Sequence, residues 1–271
     1  MVQLKNVEVE APLTKKKQPL QHYLTLMRKG GIEPNFYVSI PYLTLCGAKC
    51  YQAGEMSWVE ANGWMIFPVL SAQGNFVYTT ESVWSDFQHY HNPQLISVML
   101  DWEYIFNPVD FKTMTGGKWE VFRKNCRKWP REHDRWLYTL QCSNTQEVQQ
   151  LLGNWLEAKG DDMEDGETVV RFVLSDIPGI ERRYLYERDK LVAVNAWDEN
   201  EVFINYRVCI TNGDAWLTEF VREMFYSDPA MTVRRKLVND GGTVGNLGLE
   251  RFKDKMNPLV KRQRFTWTEI L

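Results

Sequence analysis

No stretch of this chain stays apolar for the ~20 residues that a bilayer-spanning helix needs. Its first ten residues, Met1 to Glu10, mix Lys with Glu and hold no apolar signal core. The expectation is a cytoplasmic protein without membrane insertion. Cysteine is scarce, and the odd count of five excludes a fully paired disulfide scaffold and suits a reducing compartment. Cys46 and Cys50 are close in sequence, but Cys126, Cys142 and Cys209 are scattered, and the four histidines complete no zinc pattern. No metal is therefore expected, and the thiols read as small buried hydrophobes. Fixed-period repeats and low-complexity tracts are also missing, which excludes solenoids and linkers.

What the chain does have is aromatic mass: eleven Trp, thirteen Phe and twelve Tyr in a composition that is 44% hydrophobic. That is enough core for one large domain or two small ones, and it argues against disorder. Charge is unevenly spread. Lys112 to Arg135 holds eight Lys/Arg against three acids, and Arg234 to Arg264 holds nine against three. Two basic segments on an acidic body would attract phosphates, although either alone reads as a solvated helix face.

Periodicity divides the chain as follows. Residues 1–19 form an extended lead-in, and Leu20 to Arg28 a short helix ended by Gly30-Gly31. Strands are predicted over Asn35–Ile40, Gly63–Leu70, Asn75–Thr79 and within Gln94–Phe106. The stretch GGKWEVFRKNCRKWPREH opens a basic helix with Trp119, Phe122, Cys126 and Trp129 toward one face, and Pro130 should end or kink it. Asn144-Thr145 caps a helix running to Lys159. The acidic run Asp161–Glu167 reads as a loop or helix start. RYLYERDKLVAVNAWDENEVFINYRVCI gives three strands, with turns at Asp189-Lys190 and Asp198–Asn200. A helix over Ala215–Tyr226, a strand over Thr232–Val238, a Gly-rich turn, a helix around LERFKDK and a last strand complete the half. The turn Thr211–Asp214 leads a strand straight into a helix, whose free N–H groups suit a phosphate.

Two stretches carry a family resemblance. GGKWEVFRKNCRKWPREH (Gly116–His133) and VNDGGTVGNLGLERFKDKMNP (Val238–Pro258) resemble the GNAT-like acyltransferase domain at the C-terminus of phosphatidylglycerol lysyltransferases and their soluble relatives. The first is similar to that family's Gly-Lys basic helix, the second to its closing strand end, Gly-Leu step and basic helix. The likeness runs from about Asp101 onward. It implies an α+β (α/β) fold of tandem GNAT-like halves, over 20–140 and 141–271, with mixed, mostly antiparallel sheets flanked by helices.

The resemblance also implies transfer of an acyl or aminoacyl group, from acyl-CoA or an aminoacyl-tRNA, to an amine or hydroxyl. Such chemistry needs a cradle for the phosphate-bearing donor, an oxyanion donor and a route for the acceptor's proton. The implied catalytic residues are Asp240 as base, Tyr206 as general acid and Asn239 beside them. The donor cradle would be Arg207, Val208, Gly213, Asp214 and Ala215, with Lys253 reaching a phosphate. Lys118, Lys124, Asn125, Trp197 and Asn205 would face substrate.

Plainer roles stand beside these. Asp240 could cap the Gly turn, Tyr206 could be packing, Asn239 could satisfy backbone groups, and Trp119, Trp129 and Trp136 could be core. Two alternatives follow. The basic segments and aromatics would also suit transfer onto nucleic acid, with DNA or tRNA as partner. The family's paired acids are replaced here by Asp240-Gly241-Gly242, which would suit a catalytically inactive binding module.

Overall fold

The computed structural model describes residues 15–61, 64–65, 69–78, 95–160, 166–243 and 245–269. Most of the lead-in, part of the expected strand over 63–70, and residues 161–165 of the acidic run lie outside them.

In chain order the elements begin with β1 (Lys16–Gln18), α1 (Leu20–Lys29) and α2 (Ile40–Leu45). The strands β2 (Lys49–Ala53), β3 (Met56–Ala61), β4 (Trp64–Met65), β5 (Val69–Leu70), β6 (Phe76–Tyr78) and β7 (Leu95–Phe106) come next. Then follow α3 (Pro108–Phe111), a 3-10 turn at Gly117–Trp119, α4 (Glu120–Cys126), α5 (Trp129–Glu132) and β8 (Trp136–Thr139). Two helices, α6 (Thr145–Lys159) and α7 (Gly166–Leu174), precede β9 (Glu181–Glu187), β10 (Lys190–Glu199) and β11 (Phe203–Thr211). The chain closes with α8 (Leu217–Ser227), α9 (Pro229–Val233), β12 (Leu237–Asn239), α10 (Leu247–Lys255) and β13 (Val260–Glu269). This is a mixed α+β fold with two sheets flanked by helices, as expected.

The chain forms two compact units, one of residues 1–33, 46–99 and 265–271 and the other of 34–45 and 100–264. The position 140/141, read from sequence as a boundary, falls between β8 and α6, inside the second unit.

The first unit carries a small sheet in the order β1-β2-β3-β5-β6, with β4 on β3. Helix α1 buries Tyr23, Leu26 and Met27. Its end needs glycine for a specific reason. A Cβ on Gly30 would collide with the Gly74 carbonyl, and a Cβ on Gly74, at φ +87° in the turn before β6, would in turn collide with the Leu26 carbonyl and the Gly30 amide.

The second unit is built on a sheet ordered β13-β7-β12-β11-β10-β9-β8. Its centre is the predicted three-strand run. The β9–β10 turn uses Arg188 and Asp189, both at positive φ (46° and 65°), the backbone that a tight hairpin requires. At the next turn the Asn200 side chain accepts from the amides of Val202 (3.0 Å) and Phe203 (2.7 Å). Strand β11 then pairs in parallel with β12, after a crossover through α8 and α9. Asn144 caps α6 as expected, accepting from the Gln146 amide at 2.9 Å.

Two expected strands are helical or irregular. Over 35–40, the Asn35 side chain accepts from the Tyr37 amide (2.9 Å) and the Asn35 carbonyl from Val38 (3.1 Å), which folds a turn. Pro41 then sits in the first turn of α2. Over 232–236, Asp228 accepts from the Ala230 amide (2.8 Å) and Pro229 starts α9, so only Leu237–Asn239 is strand. Nothing in the sequence reading foresaw β2 and β3, whose central aromatics hid the alternation.

The core of this unit is aromatic. Phe106, Phe111, Trp119, Phe122, Trp197, Tyr206, Phe225 and Tyr226 are all buried in one cluster. Phe111 stacks on Tyr226 at 4.3 Å between centroids. Such pairs contribute about 0.5–1.5 kcal/mol beyond their area. Trp119 and Trp129 are core, as expected, whereas Trp136 is 38% exposed on the edge strand β8. The basic helix breaks between α4 and α5, and Pro130 lies in the first turn of α5.

Candidate active site at the end of β11

The parallel pairing of β11 with β12 is short. It covers Phe203–Asn205 against Leu237–Asn239. Beyond Asn205, β11 continues to Thr211 with β10 alone as its ladder partner among the described residues. Two parallel strands that part company leave main-chain N–H groups without ladder partners on the diverging edge.

Buried charge collects where they part. Asp198, on β10, is fully buried and takes a forked pair from Arg207, with Nε at 2.5 Å from Oδ2 and Nη2 at 3.1 Å from Oδ1. Ser39 donates to the same carboxylate at 2.9 Å and accepts from Arg207 at 3.1 Å. The Arg207 guanidinium lies 4.0 Å from the Tyr42 ring centroid and 4.6 Å from that of Phe36. Asn205 donates to Asp198 at 2.8 Å. Its Oδ1 and the Arg207 Nη1 are buried without a hydrogen-bond partner among the described residues. Such atoms are uncommon in folded proteins, and each asks for a polar partner.

A second cluster surrounds Asp240. Arg222, on the buried face of α8, donates to its Oδ2, and Tyr226 donates to the same oxygen at 2.7 Å. The Lys253 ammonium lies 3.3 Å from Oδ1. Asp240 is only 5% exposed. Lys253, expected to reach a phosphate, is buried and donates to the carbonyls of Asp240 (2.5 Å), Gly241 (3.2 Å) and Gly242 (2.8 Å). Burial pulls its ammonium below the ordinary lysine range, against the raising influence of Asp240. So Lys253 clamps the Gly turn to α10 from within.

The remaining expected residues divide clearly. Tyr206 is buried and donates to Asn195 Oδ1 at 2.7 Å; burial pushes its phenol well above the usual value, so the proton stays on. Asn239 donates to Glu103 at 3.0 Å and accepts from the Gly241 amide at 2.9 Å, which is turn-building work. Val208 is buried, and Trp197 is fully buried against Phe225, 5.1 Å between centroids. Trp197 is core and has no surface to offer a substrate. Lys118 and Lys124 are exposed, while Asn125 is buried and donates to Glu219 at 3.2 Å, joining α4 to α8.

At the turn ahead of α8, Gly213 (φ +93°) and Ala215 are exposed. The Asn212 side chain accepts from the Asp214 amide (3.1 Å), and the Leu217 amide donates to the Asp214 carbonyl (3.3 Å). The Asp214 amide, expected to hold a phosphate, is thus used internally, and so is the Leu217 amide that opens α8. Lys128 covers the exposed Trp216 ring at 3.3 Å from its centroid.

Sequence reasoning missed Asp198, Arg222, Glu103 and Ser39. Arg222 did leave a signal: it interrupts the apolar face of LTEFVREMFY.

No protein-family model matches the chain, and no curated protein matches it. Among the described residues no helix is long and apolar enough to cross a membrane. Among solved structures the chain is similar to a conserved protein of unknown function from Bacteroides thetaiotaomicron (TM-score 0.69, 13% identity), covering 96% of this chain and 100% of that one. Structural neighbours also include the C-terminal DUF2156 domain assigned to lysylphosphatidylglycerol synthetase of Agrobacterium fabrum (TM-score 0.45, 16% identity) and L-PGS of Bacillus licheniformis (TM-score 0.47, 16% identity). The matches cover 64% and 65% of this chain, and 61% and 62% of those chains. At 13% identity the likeness to the Bacteroides thetaiotaomicron protein concerns the fold alone.

Proposed function

We propose that the chain is an acyl- or aminoacyltransferase of GNAT type that uses the diverging edge of β11 to hold an activated donor. The observation that carries this reading is the parallel β11–β12 ladder that stops at Asn205 while β11 runs on for six residues. An extended donor arm, such as the pantetheine of acyl-CoA or the acceptor end of an aminoacyl-tRNA, fits a free strand edge by main-chain hydrogen bonds. A main-chain N–H there would face the carbonyl oxygen as it becomes an oxyanion. Beside that edge Asn205 Oδ1 and Arg207 Nη1, both buried, leave an acceptor and a donor without a protein partner among the described residues.

In this reading Asp240 serves as base only if Arg222 and Lys253 yield it. Asp240→Asn, which keeps the shape, tests that role: loss of transfer by at least ~100-fold with an intact fold supports it. The reading as a whole is tested by incubating the protein with acetyl-CoA or aminoacyl-tRNA and a panel of amines and alcohols. Donor-dependent thermal stabilisation with a matching mass increase on an acceptor supports it. Absence of both, for thioester and ester donors alike, overturns it.

A second reading, a catalytically inactive binding module, is favoured by the internal use of Asp240 and of the Asp214 and Leu217 amides. Donor stabilisation without any transfer would select it. Transfer onto nucleic acid is the third possibility, and it requires binding of DNA or tRNA that falls steeply with salt.

A further inference from the structure

His133, Glu187 and Asp214 come from three separate places: the residue after α5, the end of β9 and the turn before α8. Each presents one ligand atom, and the three atoms lie within 4.8 Å of one another. We propose that they form a binding site for a divalent first-row cation, Zn²⁺ or Mn²⁺. This stands apart from the transfer reading and survives its failure.

The ligand types suit such ions, since an imidazole with two carboxylates is an ordinary donor set for both. Donors bound at about 2.0–2.2 Å from one ion sit somewhat closer together than 4.8 Å, so small side-chain rotations complete the set. His133 Nδ1 is already 2.8 Å from Glu187 Oε1.

The side chains are held in place by others, as metal ligands usually are. The His133 ring stacks on the buried Trp129 at 4.5 Å and 8°. The Asn212 amide donates to Asp214 Oδ2 at 2.9 Å, while its oxygen receives the Asp214 N–H.

Charge points the same way. Two carboxylates converge on one imidazole, and neither makes an ion pair with Lys or Arg among the described residues. The adjacent Arg188 is directed to Asp134, with Nε at 2.9 Å. Like charges brought together favour a cation between them. Three protein ligands are one fewer than a closed structural site uses, so an open position remains for water or an oxyanion.

The test begins with protein stripped of metal by a chelator. Mn²⁺ is the first probe, because thiolates, which this chain also carries, are poor ligands for it. Free Mn²⁺ is followed by electron paramagnetic resonance, and Zn²⁺ binding by calorimetry. One saturable site is expected, weakened at least ~10-fold by His133→Ala and by Asp214→Asn. Metal should raise the thermal midpoint of the parent protein and not of these variants. If His133→Ala loses the fold along with the Trp129 stack, the nearly isosteric Asp214→Asn decides alone. No saturable binding of either ion up to about 1 mM, or binding untouched by Asp214→Asn, overturns the site and leaves an ordinary His–Glu pair.

Discussion

Arg207 with Asp198 and Arg188 with Asp134 are both forked Arg–carboxylate contacts, yet they belong to different worlds. In the first the side chains are 4% and 0% exposed; in the second they are 66% and 64% exposed. Water and salt screen the second almost entirely. Inside, each charge has already lost its hydration, so losing one partner strands the other. A charge placed among aromatic residues, such as Arg207, therefore weighs more on stability than an exposed one such as Arg188.

Breaking the buried side should have the largest effect. Asp240→Ala leaves Arg222 and Lys253 buried without their carboxylate, and should cost about 3–5 kcal/mol of stability, read by urea unfolding. Gly242→Ala comes next. Its Cβ would collide with the Asp101 carboxylate and lie 3.0 Å from the Trp102 carbonyl, so the Gly turn must shift, at roughly 1–3 kcal/mol. A smaller loss, about 1 kcal/mol, is expected for Asn144→Ala, which removes the α6 cap. Arg188→Ala should leave the unfolding midpoint unchanged. A large loss there, or a negligible one for Asp240→Ala, would break the contrast between inside and outside.

Much of the fold was legible because it is local. The cap at Asn144, the hairpin turn around Asp189 and the helix ending at Gly30 are each written in a few adjacent residues. The 35–40 and 232–236 segments misled because their apolar residues suit a strand, while Asn35, Pro41, Asp228 and Pro229 direct the backbone otherwise. The candidate site was legible only in part. Asn205, Arg207 and Asp240 were singled out; Asp198 faces Asn205 directly across the β10–β11 hairpin and was within reach of strand pairing, whereas Arg222 and Ser39 come from other elements that no spacing rule links. Lys253 shows the limit best: on paper it belongs to a solvated basic helix, and only tertiary packing turns it inward.

The brevity of the β11–β12 ladder has a consequence for how the chain assembles. Its three rungs join segments separated by two helices, so the chain closes a long loop for little immediate reward. Hairpins β9–β10–β11 can zip on their own, whereas β12 must wait until α8 and α9 are seated. The amides of Leu237–Asn239 should therefore exchange with deuterium sooner than those at the middle of β10, marking the last seam to close and the first to open.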